Sequence, residues 1–410
     1  MIEIFFRGIP YYIVFLLLFI IFRKYNVVLM AKLRIRKYKK SVPFTKDNNK
    51  VIRRKEEICE KKRKQLLYST YIILFLFFGL RGYVYTDFTS YKPFFDLIDG
   101  FSSLAEVILF KGWEPGFVVY TAICKMIIPD YFAWNAISTI IDLFLLYKIL
   151  ERYSTNHLLS LLVFFIIGAT ALEFNVLRNA KAIFIFLYAL RYIEERKMWK
   201  YFAAIFIACL FHMSSVLFFP LYFILDKKWP KWVLITLCVI GAMIMVLQFG
   251  FISNIVSRIP FADESRLQHL ASYLDDASSY QSIFGNVERI ITIIIVILLY
   301  DKLAKMNKGK YMFVNMYVLL YVSFSFCSES AVMVQRFQYM FIASFWILYP
   351  LLIQYSKRKK NLLIYSFIVS LLVMKLVLIA GDPNLEYENV ITGVSDFDNK
   401  ANYVMKNLGK

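Results

Sequence analysis

The sequence predicts an all-α polytopic membrane protein, with about 12 transmembrane helices and one re-entrant or interfacial element. Three observations carry this expectation. Sixty per cent of the 410 residues are hydrophobic and the mean hydropathy is +0.57, more apolar side chain than a soluble core of this size takes up. Apolar runs of about the length that crosses ~30 Å of hydrocarbon recur along the chain, separated by short basic stretches. Aromatic residues make up 18%, including 29 Tyr and 40 Phe, and many stand near run ends, where amphipathic rings settle at the membrane interface. The chain therefore reads as one multi-span domain over residues 1–410.

The first apolar run covers 9–30 and is followed by a basic segment, 32–65, with fifteen Lys or Arg. Net charge +20 might suggest nucleic acid, but the charge gathers between apolar runs, which reads as a basic cytoplasmic loop and excludes that partner. With this loop inside, the run at 66–80 leads outward and 81–130 forms an outer loop. Within it, 117–128 is too short to cross and is the expected re-entrant element. Further spans are expected at 131–149, 157–174, 180–193, 199–212, 215–225, 232–251, 288–304, 311–327, 336–355 and 361–380. The short basic loops at 191–200, 226–231, 301–310 and 356–360 agree in facing inward. The run at 201–225 must then break near His212, and a break survives only beside protein or a wet cavity.

Two further segments fall outside. Residues 252–286 make the longest periplasmic loop, a lid or acceptor surface carrying Asp263, Glu264, Arg266, His269, Asp275, Asp276 and Tyr280. A periplasmic C-terminal tail covers 381–410. Cys59, Cys124, Cys209, Cys238 and Cys327 follow no metal or redox spacing and read as small buried hydrophobes. The chain has no Gly-rich phosphate loop and no HExxH spacing, so soluble cofactor chemistry has no support.

Between Phe174 and Phe219, apolar helices carry Arg178, Lys181, Arg191 and His212. Ionisable groups at such depth are costly and serve a pathway or a ligand. An arginine and a histidine at helix rims suit an anionic headgroup, which points to lipid-linked chemistry.

Gly79-Leu80-Arg81-Gly82 is followed by Asp87 and Tyr91, then Glu114-Pro115-Gly116-Phe117, then Phe174-Asn175, Arg178-Asn179, Lys181-Ala182, Arg191-Tyr192-Ile193 and Phe211-His212 with Ser214-Ser215. In this order, over about 66–225, the set resembles the EpsG family, bacterial exopolysaccharide polymerases similar to the Wzy-type polymerases of O-antigen and capsule pathways. Arg336, Phe337 and Tyr339 before an apolar run also fit, while Lys181 departs from a pattern in which many relatives carry Gln after the arginine.

The resemblance implies a GT-C-like fold in the bacterial inner membrane, with its site facing the periplasm. The implied reaction polymerises repeat units carried on undecaprenyl diphosphate: a sugar hydroxyl attacks the anomeric carbon of the growing chain and the lipid diphosphate leaves. It needs no nucleotide sugar or soluble cofactor. The implied partners are the undecaprenyl-diphosphate-linked glycan, inner-membrane lipid, a chain-length regulator and a flippase. Ligation of a finished glycan would use nearly the same residues. A transporter or flippase should instead show inverted repeats and charges approaching from both sides.

That chemistry asks for cations on the departing diphosphate, where Arg is suited by its planar fork and permanent charge. Arg178 leads, followed by Arg81, Arg336 and Lys181; the alternative for Arg178 is interfacial snorkelling or an ion pair with Glu173. The acceptor hydroxyl benefits from a base, for which Asp87, Glu114 and His212 are candidates. The alternatives are helix capping by Glu114 and backbone capping by His212 at the break. Tyr91 and Tyr339 are candidates for stacking on sugars, against interfacial anchoring, and Glu329 is a weaker carboxylate. Asp87, Asp96 and Asp99 lack compact spacing, so no metal centre is expected.

Overall fold

The computed structural model describes residues 2–41, 46–247, 283–328 and 330–408. The expected periplasmic loop lies outside the described residues as far as 282, and so does Glu329. Among the described residues no strand forms; there are only isolated bridges joining Asn389 to Arg81 and to Gly393. The chain divides into two compact units: unit 1 comprises Met1–Leu150, Asn156–Ala180 and Val373–Lys410, and unit 2 comprises Glu151–Thr155 and Lys181–Leu372.

Unit 1 begins with two long helices, α1 (Ile2–Ser41) and α2 (Lys46–Phe78). At 1.5 Å per residue they run about 60 and 50 Å, well beyond ~30 Å of hydrocarbon. The basic segment expected as a loop is instead helical, with α1 continuing to Ser41 and α2 starting at Lys46. Neither basic stretch contains Gly or Pro, and Lys, Arg and Glu are strong helix formers. Lys32 pairs with Glu60 at 2.5 Å, Lys39 with Glu56 at 3.7 Å, and Tyr11 meets Phe77 edge-on at 5.3 Å, so the helices run antiparallel. Arg63 adds a 2.6 Å bond to Glu60 from the same helix.

The end of α2 has an unusual cap. A helix leaves its last carbonyls without intrahelical partners, and here nearly all the donors come from outside the helix. Asn389 Nδ2 donates to Leu76 O (3.1 Å), Tyr387 Oη to Phe77 O (2.8 Å) and Arg81 Nη1 to Phe78 O (2.6 Å). Val390 N then bonds Leu80 O (2.9 Å) and Gly82 N bonds Glu388 O (2.9 Å). The Tyr387 ring stacks on Phe77 at 4.3 Å. A Cβ at Gly82 would stand 2.9 Å from Glu388 Cβ, so only glycine admits the tail here. The tail beyond Gly381 is thus an ordered plug, completed by α18 (Phe397–Leu408), whose Lys400 pairs with Glu386 and Glu388.

Three short helices, α3 (Phe88–Leu97), α4 (Leu104–Lys111) and α5 (Pro115–Ile127), fill the expected outer loop. The 13 residues of α5 reach only about 20 Å, too short to cross. Then follow α6 (Tyr131–Tyr153), α7 (His157–Ile166), a π-helical turn over Ala171–Asn175 and α8 (Leu177–Glu194). In unit 2 the run expected to break does so at His212: α9 (Met198–Phe211) stops, and a 3₁₀ turn (Met213–Phe218) leads to α10 (Leu221–Ile224). The remaining helices are α11 (Lys231–Leu247), α12 (Ile283–Leu298), α13 (Tyr300–Met306), α14 (Met312–Phe326), α15 (Ala331–Phe341), α16 (Ala343–Lys359) and α17 (Leu362–Gly381). Buried Asn315 bonds Leu225 O, Lys227 O and Tyr300 Oη, which pins the turn after α10.

Among the described residues three helices are long and apolar enough to cross a membrane: Phe6–Lys39, Tyr131–Tyr153 and Leu362–Gly381. The pair Met333–Phe341 and Ala343–Lys359 passes the same test together, bent by 59°, as a broken span or a re-entrant loop. Of the about 12 transmembrane helices expected, these three are the ones long and apolar enough by themselves among the described residues, because several apolar runs divide. The run at 157–174 breaks at Gly168 (φ +107°) and the π turn, and 336–355 bends at Ile342. Six further apolar helices of 10–17 residues remain.

Tyr387→Ala removes a stacked ring and a helix cap together, so it should destabilise purified protein by about 2–4 kcal/mol; thermal unfolding in detergent reads this. The Arg63 hydrogen bond, with Lys32, holds the Glu60 carboxyl down at about 2. Its folded value lies below its unfolded one, so the stabilisation is complete above the ordinary glutamate range and fades as pH falls toward 2. Melting curves across that window should separate wild type from Glu60→Gln at pH 6 and converge at low pH.

Candidate functional site

Five of the expected site residues, Arg81, Asp87, Tyr91, Glu114 and Arg178, belong to unit 1. Gly112, at φ +68°, ends α4 in the left-handed region that favours glycine. The turn delivers Trp113 and Glu114 to the start of α5, where Pro115 takes the first helical position. Glu114 makes no side-chain cap. Its carboxylate reaches Arg178 Nη1 at 2.5 Å instead, and the guanidinium lies 4.4 Å over the Trp113 ring. Trp113 is itself stacked on Phe94 at 3.9 Å.

Arg178 stands in the first turn of α8, just after the π turn. A helix N-terminus carries partial positive charge and exposed N–H groups, so a cation there calls for an anion beside it. Burial works against the Arg178 charge, but Tyr91 and Glu114 outweigh it and raise its pKa above the ordinary arginine value. Its backbone N–H donates to Tyr91 Oη at 3.3 Å. Burial first, then neighbouring Asp87, push the Tyr91 phenol up, so it remains a neutral hydroxyl.

Asp87 opens α3 without a side-chain cap, and its N–H donates to Asn175 Oδ1 at 3.1 Å. The Thr86 hydroxyl donates to the same oxygen at 3.0 Å. Asn175, the last residue of the π turn, thereby ties the start of α3 to the start of α8.

Two expectations change here. Arg81, expected at the rim as a diphosphate ligand, is only 3% exposed. Its donors go to Phe78 O, Thr139 Oγ1 (3.3 Å) and Asn135 Oδ1 (2.9 Å), and it sits 5.7 Å from the Phe174 ring. Buried Glu173 accepts from Thr139 Oγ1 at 3.1 Å on the same side, so Arg178 pairs with Glu114 and not with Glu173. Arg81 holds the fold together. Tyr91, expected to stack on sugar, is enclosed by Trp113, Phe117 and Trp134. The half-buried ring beside the arginine is Trp113, which the motif reading passed over although it directly precedes Glu114. Asn175 was visible as a motif residue but had no role.

Lys181, His212, Arg336 and Tyr339 belong to unit 2. Lys181 is buried within α8, Arg336 is exposed on α15, and Tyr339 lies one turn further along that helix. His212 Nδ1 accepts from Ser214 N at 3.4 Å, capping the 3₁₀ turn, so the break is stabilised by the histidine's own side chain.

Fold and site define a helical membrane protein that presents a guanidinium, paired to a carboxylate and backed by an indole, at a helix N-terminus. The chain belongs to the EpsG family, whose sequence profile matches residues 64–389. Searches of curated proteins and of solved structures gave no match. The family is that of Wzy-like exopolysaccharide polymerases, which assigns the chain a polysaccharide polymerase role.

Asn175→Ala should leave two donors at the start of α3 unsatisfied and cost about 1–3 kcal/mol. Thermal unfolding measures the loss, and polymer yield from the same variant should fall as Arg178 loses its setting.

Proposed function

We propose that this protein polymerises lipid-diphosphate-linked oligosaccharide units at the outer face of the inner membrane, with Arg178 receiving the diphosphate. The observation that carries this reading is the 2.5 Å pair between Arg178 and Glu114 over Trp113. Glu114 occupies the guanidinium as a diphosphate oxygen would, and a diphosphate brings more charge and more acceptors to the same fork. Its arrival exchanges one anion for the other and frees the Glu114 carboxylate a few ångströms from the reacting centre.

The step then balances. The acceptor hydroxyl oxygen forms a bond to the anomeric carbon, its proton passes to Glu114, and the bond from that carbon to the diphosphate oxygen breaks. The electron pair leaves with the lipid diphosphate, where Arg178 and the positive end of α8 stabilise the developing charge. Trp113 keeps the guanidinium plane oriented by stacking and offers a face to the sugar. Asp87 serves as a second carboxylate for sugar hydroxyls.

Removing a charge-stabilising donor of this kind costs about 10²–10³ in rate. Arg178→Ala should therefore abolish chain lengthening in cells at unchanged protein level, and Arg178→Lys should restore little, because an ammonium lacks the fork. Glu114→Gln should lose turnover while binding lipid diphosphate at least as tightly, since the competing carboxylate is gone. Full-length glycan from Arg178→Ala cells sinks the proposal. The outer location predicts that a cysteine placed beside Glu114 reacts with an impermeant thiol reagent in intact cells; labelling only after permeabilisation places the site inside.

A further inference from the structure

Unit 2 holds a second arginine, partly shielded from solvent, that neither the motif set nor the proposed reaction uses. Arg289 lies on the second turn of α12, and its Nη1 donates to Gly285 O of the same helix at 3.0 Å. The guanidinium carbon stands 3.6 Å from the centroid of the Phe324 ring on α14. Nε is shut off from solvent and has no hydrogen-bond partner, and among the described residues Arg289 forms no ion pair. Glu288, next in sequence and buried, acts on it through space without closing a bond. From α16, Tyr349 also comes within electrostatic reach. Its buried hydroxyl approaches Thr292 without completing a hydrogen bond.

These facts combine in one direction. A guanidinium keeps its charge in any protein interior, and a shielded Nε–H of a charged group left without an acceptor is costly for a fold to hold. The unused edge is the Nε and Nη2 side, whose parallel N–H bonds grip a phosphate or carboxylate bidentately. Phe324 covers one face of the plane and leaves that edge unspent. A neutral hydroxyl donor from a different helix, also lacking an acceptor, faces the same charge.

We propose that Arg289, with the Tyr349 hydroxyl, forms an oxyanion site in unit 2 that takes a phosphate or diphosphate group. The assignment does not rest on the polymerase reading. The same chemistry is offered by a membrane lipid bearing a terminal phosphate and by free inorganic diphosphate.

The test uses full-length protein in phosphatidylcholine nanodiscs on the Arg178→Ala background, so that the unit 1 arginine contributes nothing. One arm titrates inorganic diphosphate by calorimetry; the other adds phosphatidic acid to the nanodisc and follows the melting temperature. Saturable diphosphate binding identifies the soluble source, and a rise in melting temperature with phosphatidic acid identifies the lipid. Whichever arm responds, Arg289→Met should weaken the response by about 10–100-fold, the value of a charge-assisted bond. Arg289→Lys should fall between the two, and Tyr349→Phe should lose about 2–10-fold, one neutral hydrogen bond. Tyr349→Phe keeps the ring and decides the matter should Arg289→Met fail to fold. Silence in both arms, or responses that neither Arg289→Met nor Tyr349→Phe alters, overturns the proposal.

Discussion

Unit 1 depends on the placement of one guanidinium, Arg81, whose charge is buried at the end of α2 and shared among a helix carbonyl, Asn135 and Thr139. Thr139 passes the connection to Glu173 in the π turn, and two residues later Asn175 holds Thr86 and Asp87. Polar contacts therefore run from the end of α2 to the π turn that precedes α8. Buried charge of this kind is stable only while every partner stays; removing one partner of a buried pair costs about 3–5 kcal/mol.

The Arg178–Glu114 pair stands in contrast to that interior. Arg81 has its donors engaged by neutral protein groups, with Glu173 nearby as counter-charge. Arg178 has one carboxylate at hydrogen-bond distance and an aromatic plane, and its Glu114 partner comes from a separate short helix after a left-handed glycine turn. An ion pair across two independently anchored elements can open without unravelling either. Two arginines of equal prominence in the motif pattern thus differ in depth and in partners.

Much of this was legible from residue order. All-helical class, the break at His212 and the short α5 followed from hydropathy and length; Arg178 and Glu114 were each visible as candidates, but their pairing was not. The basic hairpin was misread because charge signals topology and says little of backbone state; Lys, Arg and Glu favour helix as readily as they solvate a loop. Arg81 was misjudged because depth depends on partners that sequence spacing does not reveal: Asn135 and Thr139 come from a helix more than fifty residues away. Trp113 was overlooked because a tryptophan beside a glycine turn looks like an interfacial anchor until its ring is seen under a guanidinium. Where apolar runs divide was less legible, since a single Gly168 or Ile342 can break a run that hydropathy treats as continuous.

The plug formed by Leu385, Tyr387, Asn389 and Val390 closes a helix whose other end is reached before residue 50. During synthesis α2 therefore enters the bilayer with its terminal carbonyls open, and they stay open until some three hundred further residues have followed. A chain interrupted before Tyr387 would leave the Leu76 and Phe77 carbonyls without their caps.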